Sequence, residues 1–437
     1  MNNTREMHAP INKRFHIGII LDAVKKTSFQ LDEKEFTNTY QKIREYQALR
    51  SRLFGELQRN NTETDMGVAL SFGENIFPLF DEMFLGLLNN PSNIWQESNH
   101  EAASNLSTGL DQFKQNLPPD NNLSLKTQIK YLSMISRSKS EEETKELLRK
   151  YKKNERKILN LEKNGPFVYI TYDEQFINGK EVVIPMAYLL MPVGDGWLKQ
   201  HNIANIDQGI HFYYCLARAG DAASWFESGF ALDQAGVVMV NDLEENNETT
   251  ISFTKKLLAE SGIRYTDKDI LGHLSRFIGW HELGHSRRYV KKNDPEYEKK
   301  DFWSEFLADS YLAKKVILEI LSTEDIVLKK KILLHFIGYL AIAVPDKMSS
   351  GNFLSNNDSD ESRKRYNASK IRILKLMYEA GIINLDSSEK ITIQSNDKGL
   401  RVFIKRLSEY ASRPLEEDPP FNDISKRLVQ KMRIKMY

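Results

Sequence analysis

The stretches FIGWHELGHSRRY (residues 277–289) and DFWSEFLADSYL (residues 301–312) predict two consecutive helices with polar groups on their apolar faces. In the first helix, His281 and His285 continue an apolar stripe that runs through residues 270–278. Four residues make slightly more than one helical turn, so the two imidazoles lie on one side of the helix. This spacing allows two histidine nitrogens to bind one zinc ion at about 2.0–2.1 Å each.

Two acidic residues on the second helix, Glu305 and Asp309, complete the pattern. They are one turn apart, on or beside a stripe of phenylalanine, leucine and valine. A buried carboxylate is costly unless an opposite charge compensates it, and a divalent cation held by two histidines is such a charge. Because catalytic zinc keeps one open position beside three protein ligands, we predict Glu305 as the third ligand. We predict that Asp309 accepts the remaining N–H of one zinc-bound histidine.

Glu282 is placed for acid–base chemistry rather than for metal binding. It follows His281 directly and is rotated by about 100° around the helix axis, so it can reach a metal-bound water without occupying a ligand position.

The HELGH and EFLAD motifs resemble those of the gluzincin zinc metallopeptidases, in which an HExxH helix is followed by a helix with ExxxD or ExxAD. The interval is similar to that of the thermolysin-like enzymes, and EFLAD also resembles the motif of the anthrax lethal factor group. The resemblance covers about residues 280–310. Arg287 departs from the extended zincin pattern, which has an uncharged residue there, and we expect it at the helix end. The resemblance implies a zincin-like core with these roles: zinc binding by His281, His285 and Glu305, general base catalysis by Glu282, and orientation of a ligand by Asp309. It implies hydrolysis of an amide bond by a water whose pKa zinc lowers toward about 7, with Glu282 taking the proton and delivering it to the leaving amine.

Three residues are candidates for the donor that stabilises the oxyanion. Tyr297 is the first, by analogy with the lethal factor group. His335 and Tyr339 on the following helix are the others, although the segment that contains them, ILLHFIGYLAIAV, is typical of a buried helix. Each of the latter two is therefore interpreted first as a packing residue.

Composition and charge restrict the class of protein. The chain has 437 residues, 61 Lys+Arg against 60 Asp+Glu and a net charge of +1, which gives no electrostatic argument for nucleic acid or an anionic membrane surface. Cys215 is the only cysteine, which excludes a disulfide framework and a cysteine-rich metal site. No apolar run suits a signal peptide or a membrane span. We expect a cytoplasmic protein with a peptide or protein substrate, and the sequence predicts no oligomeric state.

The predicted fold class is α+β and mostly helical. We predict a helical N-terminal region at residues 1–160, a zincin-like catalytic region with a small sheet at residues 161–325, and a helical C-terminal region at residues 326–437. Runs rich in β-branched and aromatic residues indicate the strands, namely GPFVYITYD, KEVVIPMAYLLMP, IHFYYCLA and AGVVMVND.

Local signals refine the catalytic region. Thr266 and Asp269 form a predicted capping box at the start of the HExxH helix. Residues 194–196, Gly-Asp-Gly, predict a turn. The strand at residues 235–242 is the candidate sheet edge for a peptide substrate, although a central strand is its ordinary interpretation, and WFESGFALDQ (residues 225–234) is a candidate lid loop.

Three functional hypotheses remain open on the sequence. The first is a zinc metallopeptidase with helical walls around a cleft. The second is a regulatory or toxin-like protease with a single protein target, as in the ImmA/IrrE-type regulators, which also have an HExxH helix followed by a glutamate-containing helix. The third is a metal-free helical scaffold, in which Glu305 and Asp309 hydrogen-bond the two histidines.

Overall fold

The computed structural model of this chain describes most of the region from residue 71 to residue 411. The described ranges, apart from short breaks inside several of them, are residues 71–83, 97–116, 123–137, 143–150, 167–201, 203, 209–220, 228–287, 300–341 and 369–411. These ranges are mostly helical and contain a small sheet, which confirms the predicted α+β class. None of the helices in these ranges is both long and apolar enough to cross a bilayer.

The chain divides into two compact units, and the first comprises Met1–Gly194 and Tyr213–Phe226. Its described elements are α1 (Glu97–Gln115), α2 (Leu123–Ser136), β1 (Phe167–Ile177), β2 (Lys180–Pro192) and the Tyr213–Gly220 part of β3 (Ile210–Gly220). The two helices pack together, and the Ser133 hydroxyl donates to Asp111 at 3.0 Å. β2 pairs antiparallel with both β1 and β3. The three runs predicted as strands in this unit are therefore confirmed.

The second unit comprises Asp195–Phe212 and Glu227–Tyr437 and contains the HELGH and EFLAD motifs. Besides the first three residues of β3, its elements are α3 (Asp195–Gln200), β4 (Gly229–Leu232), β5 (Ala235–Met239), α4 (Leu243–Asn246), α5 (Glu248–Glu260), α6 (Asp267–Arg287), α7 (Lys300–Ser322), α8 (Ile326–Ala341), β6 (Ile383–Leu385), β7 (Ile391–Ile393) and α9 (Asp397–Ala411). Helices α6, α7 and α8 pack on one another around the fully buried rings of Phe277, Phe306 and Phe336.

The capping box predicted for α6 is present. The backbone N–H of Asp269 donates to the Thr266 hydroxyl at 3.1 Å, and the backbone N–H of Thr266 donates to Asp269 Oδ2 at 3.0 Å. These bonds satisfy two backbone donors that the first turn would otherwise leave without partners. Arg287, the position that departs from the zincin pattern, is the last described residue of α6.

Strand β5 packs directly on α6. A Cβ on Gly236 would lie 2.4 Å from the carbonyl oxygen of Gly279, so only a glycine permits this approach. All five residues of β5 are buried, and the strand lies between β3 and β4. The ordinary interpretation of this segment as a central strand is therefore confirmed for Ala235–Met239, and the candidate role of residues 235–242 as the sheet edge is wrong, because within the described strands the edge beside α6 is β4.

Two further local predictions differ from the structure. Gly229–Leu232, within the segment predicted as a lid loop, forms β4 and pairs antiparallel with β5. Its sequence, Gly-Phe-Ala-Leu, has no polar side chain and therefore no apolar–polar alternation that would indicate a strand. Asp195 and Gly196, predicted in a turn, begin the short helix α3, where an aspartate interacts favourably with the helix N-terminus.

Candidate metal centre

Helices α6 and α7 carry the residues of the predicted site on facing surfaces. Gly284, inside HELGH, faces Ala308, inside EFLAD, and neither position offers a side chain larger than a methyl group. The flanking residues of each motif are therefore close enough for their side chains to meet. His281 is buried, with 1% of its surface exposed, while His285 and Glu305 are partly exposed.

The side chains of His281, His285 and Glu305 converge. Nε2 of His281 lies 3.1 Å from Nε2 of His285 and 3.3 Å from Oε2 of Glu305. Nε2 of His285 lies 3.4 Å from Oε1 of Glu305. A tetrahedral zinc ion with ligands at about 2.0–2.1 Å requires ligand atoms roughly 3.3–3.4 Å apart. Each histidine nitrogen lies at about this distance from one of the two oxygens of Glu305, and one donor atom from each of the three residues lies within 4.8 Å of the others. Among the described residues, no other group of three such side chains is close enough to hold a metal.

The chemistry of the donor atoms also fits a cation. Oε2 of Glu305 is buried, and Nε2 of His281 lies 3.3 Å from it. A buried carboxylate oxygen is unfavourable unless a donor or a positive charge lies beside it. The three residues therefore fit a divalent metal in both geometry and charge.

Asp309 binds the ring nitrogen of His281 that faces away from His285 and Glu305. The carboxylate is fully buried, and its Oδ1 accepts a hydrogen bond from Nδ1 of His281 at 2.8 Å. Its Oδ2 accepts one from the Ser369 hydroxyl at 2.6 Å. Burial alone would raise the pKa of Asp309, but His281, Lys370 and Ser369 together lower it, so the carboxylate is ionised. With Nδ1 donating to Asp309, the lone pair of a neutral His281 is on Nε2, which faces the other two ligand atoms.

Even without a metal, the carboxylates around His281 and His285 favour a positive charge in this cluster. Burial lowers the pKa of His281, but Asp309 and Glu305 outweigh it and raise the value to about 10. Burial and the neighbouring His281 lower the pKa of His285 to about 4. The carboxylates thus favour one cation in the cluster, and either a proton on His281 or a metal ion provides it.

Glu282 lies on the strand side of α6. A Cβ on Gly229 of β4 would lie 3.1 Å from Cγ of Glu282, so the carboxylate stem is next to the edge strand. Glu282 also acts electrostatically on Tyr339 and Lys370, as Asp309 and Glu305 do. It is half-buried.

The three oxyanion candidates are placed differently. Tyr297 lies outside the described residues. His335 donates from Nδ1 to the carbonyl oxygen of Lys331 at 2.7 Å, and its ring packs against His273 with centroids 4.3 Å apart. Tyr339 is buried, and burial together with the carboxylates of the site raises its pKa well above 10, so it remains a protonated donor.

Two residues beside the site were not predicted, namely Ser369 and Lys370. Both are buried in a helical segment that includes residues 372–379. Their sequence signal is weak but present, because Ser369 and Lys370 lie one turn before the buried Ile373 and Leu374. That pattern puts a hydroxyl and an amine on the apolar side of a helix, but it does not indicate which distant residue they meet.

Comparison with known proteins gives little beyond this geometry. No protein-family model matches the sequence, and no curated protein matches it. Among solved structures, the chain is similar to dipeptidyl-peptidase III from Corallococcus sp. strain EGB, with 10% sequence identity and a TM-score of 0.44. The matched part covers 77% of this chain and 66% of that chain. The arrangement of His281, His285 and Glu305 therefore carries the functional interpretation.

Proposed function

We propose that this chain is a zinc-dependent metallopeptidase. The observation that carries the proposal is the cluster of donor atoms of His281, His285 and Glu305. The two Nε2 atoms are 3.1 Å apart, and each lies 3.3–3.4 Å from a different carboxylate oxygen of Glu305. The buried hydrogen bond from His281 to Asp309 supports it, because metal-binding histidines commonly donate their second N–H to a carboxylate. The zinc ligands in this proposal are His281, His285 and Glu305, and Asp309 orients His281.

The residues around this cluster support peptide hydrolysis as the proposed reaction. A zinc ion held there would supply a Lewis acid and lower the pKa of water toward about 7. Glu282 accepts a proton from the attacking water and returns it to the leaving amine. Of the two described candidates for a donor to the oxyanion, His335 and Tyr339, we select Tyr339, which its surroundings keep protonated, and Tyr297 remains a prediction from the sequence.

The neighbouring strand supports a peptide as substrate. Within the described sheet, β4 is an edge strand, and Gly229 of this strand is next to Glu282. An extended peptide that pairs with β4 would place one of its carbonyl groups beside Glu282, the proposed general base. Peptide binding by strand addition requires no special sequence, so it fits either a broad peptidase or a protease with one protein target.

Metal analysis of the purified full-length protein, combined with two variants, tests the proposal. We expect one equivalent of zinc in the wild type and in Glu282→Gln, and cleavage of a mixed peptide library by the wild type only. His285→Ala should lose both the metal and the activity. A metal-free scaffold predicts instead no stoichiometric metal and no effect of a chelator on stability, and that result would refute the proposal.

A peptide library also separates the two protease hypotheses. Cleavage of many peptides indicates a general peptidase, since a regulatory protease accepts its own protein target alone. Stoichiometric zinc without cleavage in the library would therefore favour the protease with a single target.

A further inference from the structure

Ser369 is a buried residue whose hydroxyl contacts the carboxylate of Asp309. Its Oγ donates to Oδ2 of Asp309 at 2.6 Å, and both residues are fully buried. This distance lies in the range of about 2.5–2.7 Å that is typical of a hydroxyl bound to an ionised carboxylate. Bonds of this kind are stronger than those between neutral groups, so the contact contributes to the order of the carboxylate.

The helical segment that contains Ser369 packs on α7. One face of the segment is apolar, since Ile373 and Met377 follow Ser369 at intervals of four residues and are fully buried. The guanidinium of Arg372 lies 5.6 Å from the centre of the Phe306 ring, which is a cation–π contact with α7. These contacts fix the position of the hydroxyl relative to the helix that carries the carboxylate.

Asp309 accepts hydrogen bonds on both of its oxygens, from two different parts of the chain. Oδ1 accepts from Nδ1 of His281 at 2.8 Å. That bond alone would leave the carboxylate considerable freedom to rotate, because the terminal torsion of an aspartate has broad minima. The second bond, from Ser369 to Oδ2, fixes the plane of the group. The Nδ1–H of His281 then has an acceptor in a defined direction, which orients the ring and its Nε2.

We propose that Ser369 is a positioning residue of the metal centre, which holds Asp309 in the orientation that directs Nε2 of His281 to the ion. Ser369 acts through Asp309 rather than on the ion itself. The inference rests on the proposed metal-dependent function. It adds to the site a residue from the region predicted as C-terminal and helical, so the two motif helices alone do not complete the centre.

The hydroxyl also has an opposite effect on the same chain of bonds. When Asp309 accepts a second hydrogen bond, it shares its negative charge, and this reduces the basicity that it confers on His281. The orienting effect is the larger one, because removal of the hydroxyl would leave a buried carboxylate oxygen without this donor and the group would turn to find another. We therefore expect removal of the hydroxyl to weaken zinc binding.

Zinc affinity of the full-length protein, measured by competition with a chromophoric chelator, tests this role without reference to activity. We expect Ser369→Ala to bind zinc about tenfold more weakly than the wild type, at the lower end of the loss that is typical for residues supporting a metal ligand. Ser369→Thr keeps the hydroxyl and should remain within about threefold of the wild type. If Ser369→Ala does not fold, Ser369→Cys, whose thiol is a weaker donor, should show a smaller loss of the same sign.

Ser275→Ala is the matched control. Ser275 is as buried as Ser369, but its hydroxyl donates to the backbone carbonyl of Gly272 within α6 at 3.0 Å. We expect this variant to bind zinc as tightly as the wild type. A similar loss in both serine variants would show that any buried hydroxyl in this unit affects the site, and it would contradict a specific role of Ser369.

A double-mutant cycle shows whether Ser369 acts through Asp309. Asp309→Ala has no carboxylate to orient, so the addition of Ser369→Ala should change its zinc affinity by less than about twofold. A further loss of about tenfold would show that the serine acts independently of Asp309 and would contradict the proposed role. If Asp309→Ala does not fold, Asp309→Leu, which fills the space of the carboxylate, takes its place in the cycle.

The outcomes separate the two proposals. If the wild type binds no stoichiometric zinc, both fail. If the wild type binds zinc and cleaves peptides while Ser369→Ala binds zinc as tightly as the wild type or more tightly, the positioning role is wrong and the proposed function stands. Weaker binding by Ser369→Ala that Ser369→Thr restores, and that is absent in the Asp309→Ala background, supports the role of Ser369.

Discussion

Gly284 and Ala308 meet with so little space that a Cβ on Gly284 would lie 2.7 Å from Cα of Ala308 and 2.9 Å from its carbonyl oxygen. Both atoms belong to backbone, so they cannot move aside as a flexible side chain would. The glycine of HELGH and the alanine of EFLAD therefore set the separation of α6 and α7. This separation brings His285 and Glu305 within reach of a common ion.

Replacement of Gly284 by alanine tests this close contact. Overpacking costs about 1–3 kcal/mol, whereas alanine gains about 1 kcal/mol over glycine in a helix. Because the contacts are with backbone atoms, we expect a net loss of about 2 kcal/mol in the free energy of unfolding, together with weaker zinc binding. Urea denaturation and chelator competition measure the two effects.

Gly196→Ala is the matched control for this variant. Gly196 is also helical, and a Cβ there would have no neighbour within 4 Å. It should therefore be neutral or stabilising and leave zinc affinity unchanged. Equal stability of Gly284→Ala and the wild type would show that the two helices can separate at little cost.

Asp309→Asn tests whether the charged partner of His281 Nδ1 increases the affinity for zinc. Asparagine keeps the size of the side chain and can still accept a hydrogen bond from Nδ1, but it lacks the negative charge that increases the basicity of the imidazole. We expect zinc affinity to fall about 10–100-fold, as is typical for loss of such an outer carboxylate. Asp325→Asn is a suitable control, because Asp325 caps α8 by accepting from the Val327 N–H at 2.8 Å, away from the site. An Asp309→Asn protein that binds zinc as tightly as the wild type would contradict the assigned role.

The parts of the site that the sequence predicts are those determined by short-range geometry. The capping box of Thr266 and Asp269 and the spacing of His281 and His285 depend only on helical periodicity, so they appear in the structure where the pattern puts them. The convergence with Glu305 followed from one further argument, the cost of burying a carboxylate without a partner.

The parts that the sequence does not predict depend on tertiary contacts. Ser369 meets Asp309 from 60 residues away, and no local pattern indicates which distant carboxylate a buried serine will meet. The edge position of β4 depends on the order of strands, and β5 has the more regular strand sequence although it lies inside the sheet. Hydrophobicity indicates that a strand is buried, but it does not indicate its neighbours.

Asp269→Asn tests the start of α6 through its pH dependence. Burial raises the pKa of Asp269, but bonds from Lys331 at 2.8 Å and from Thr266 outweigh it and lower the value. A lowered folded-state pKa means that the stabilisation is present above the unfolded value near 4 and is lost as the pH falls through the folded value. We expect Asp269→Asn to cost about 1–2 kcal/mol at pH 7, and we expect this difference to decrease as the pH falls below about 4.

Urea denaturation between pH 7 and pH 3 measures this difference. Asp267→Asn serves as the control, since Asp267 lies on the same turn with a side chain that is 70% exposed and pairs with Lys255. An exposed pair of this kind contributes little. A difference between wild type and Asp269→Asn that does not change with pH would argue against the ion pair with Lys331.

His335→Phe tests the buried histidine that lies away from the metal centre. Burial, with smaller effects from Lys331 and Arg276, lowers the pKa of His335 to about 4 despite the opposing bond to the Lys331 carbonyl and the charge of Asp269. The unfolded chain takes up a proton near pH 6.5, whereas the folded chain does not until about pH 4, so stability falls as the pH falls between these values. At pH 5 this proton uptake costs the wild type about 2 kcal/mol relative to neutral pH.

Phenylalanine preserves a ring against His273 but loses the hydrogen bond to the Lys331 carbonyl. We therefore expect His335→Phe to be about 1 kcal/mol less stable than the wild type at pH 7.5. At pH 5 the variant should be at least as stable as the wild type, because phenylalanine takes up no proton on unfolding. Urea denaturation at the two pH values provides the comparison, and equal pH dependence in both proteins would show that His335 takes up its proton in the folded chain as readily as in the unfolded one.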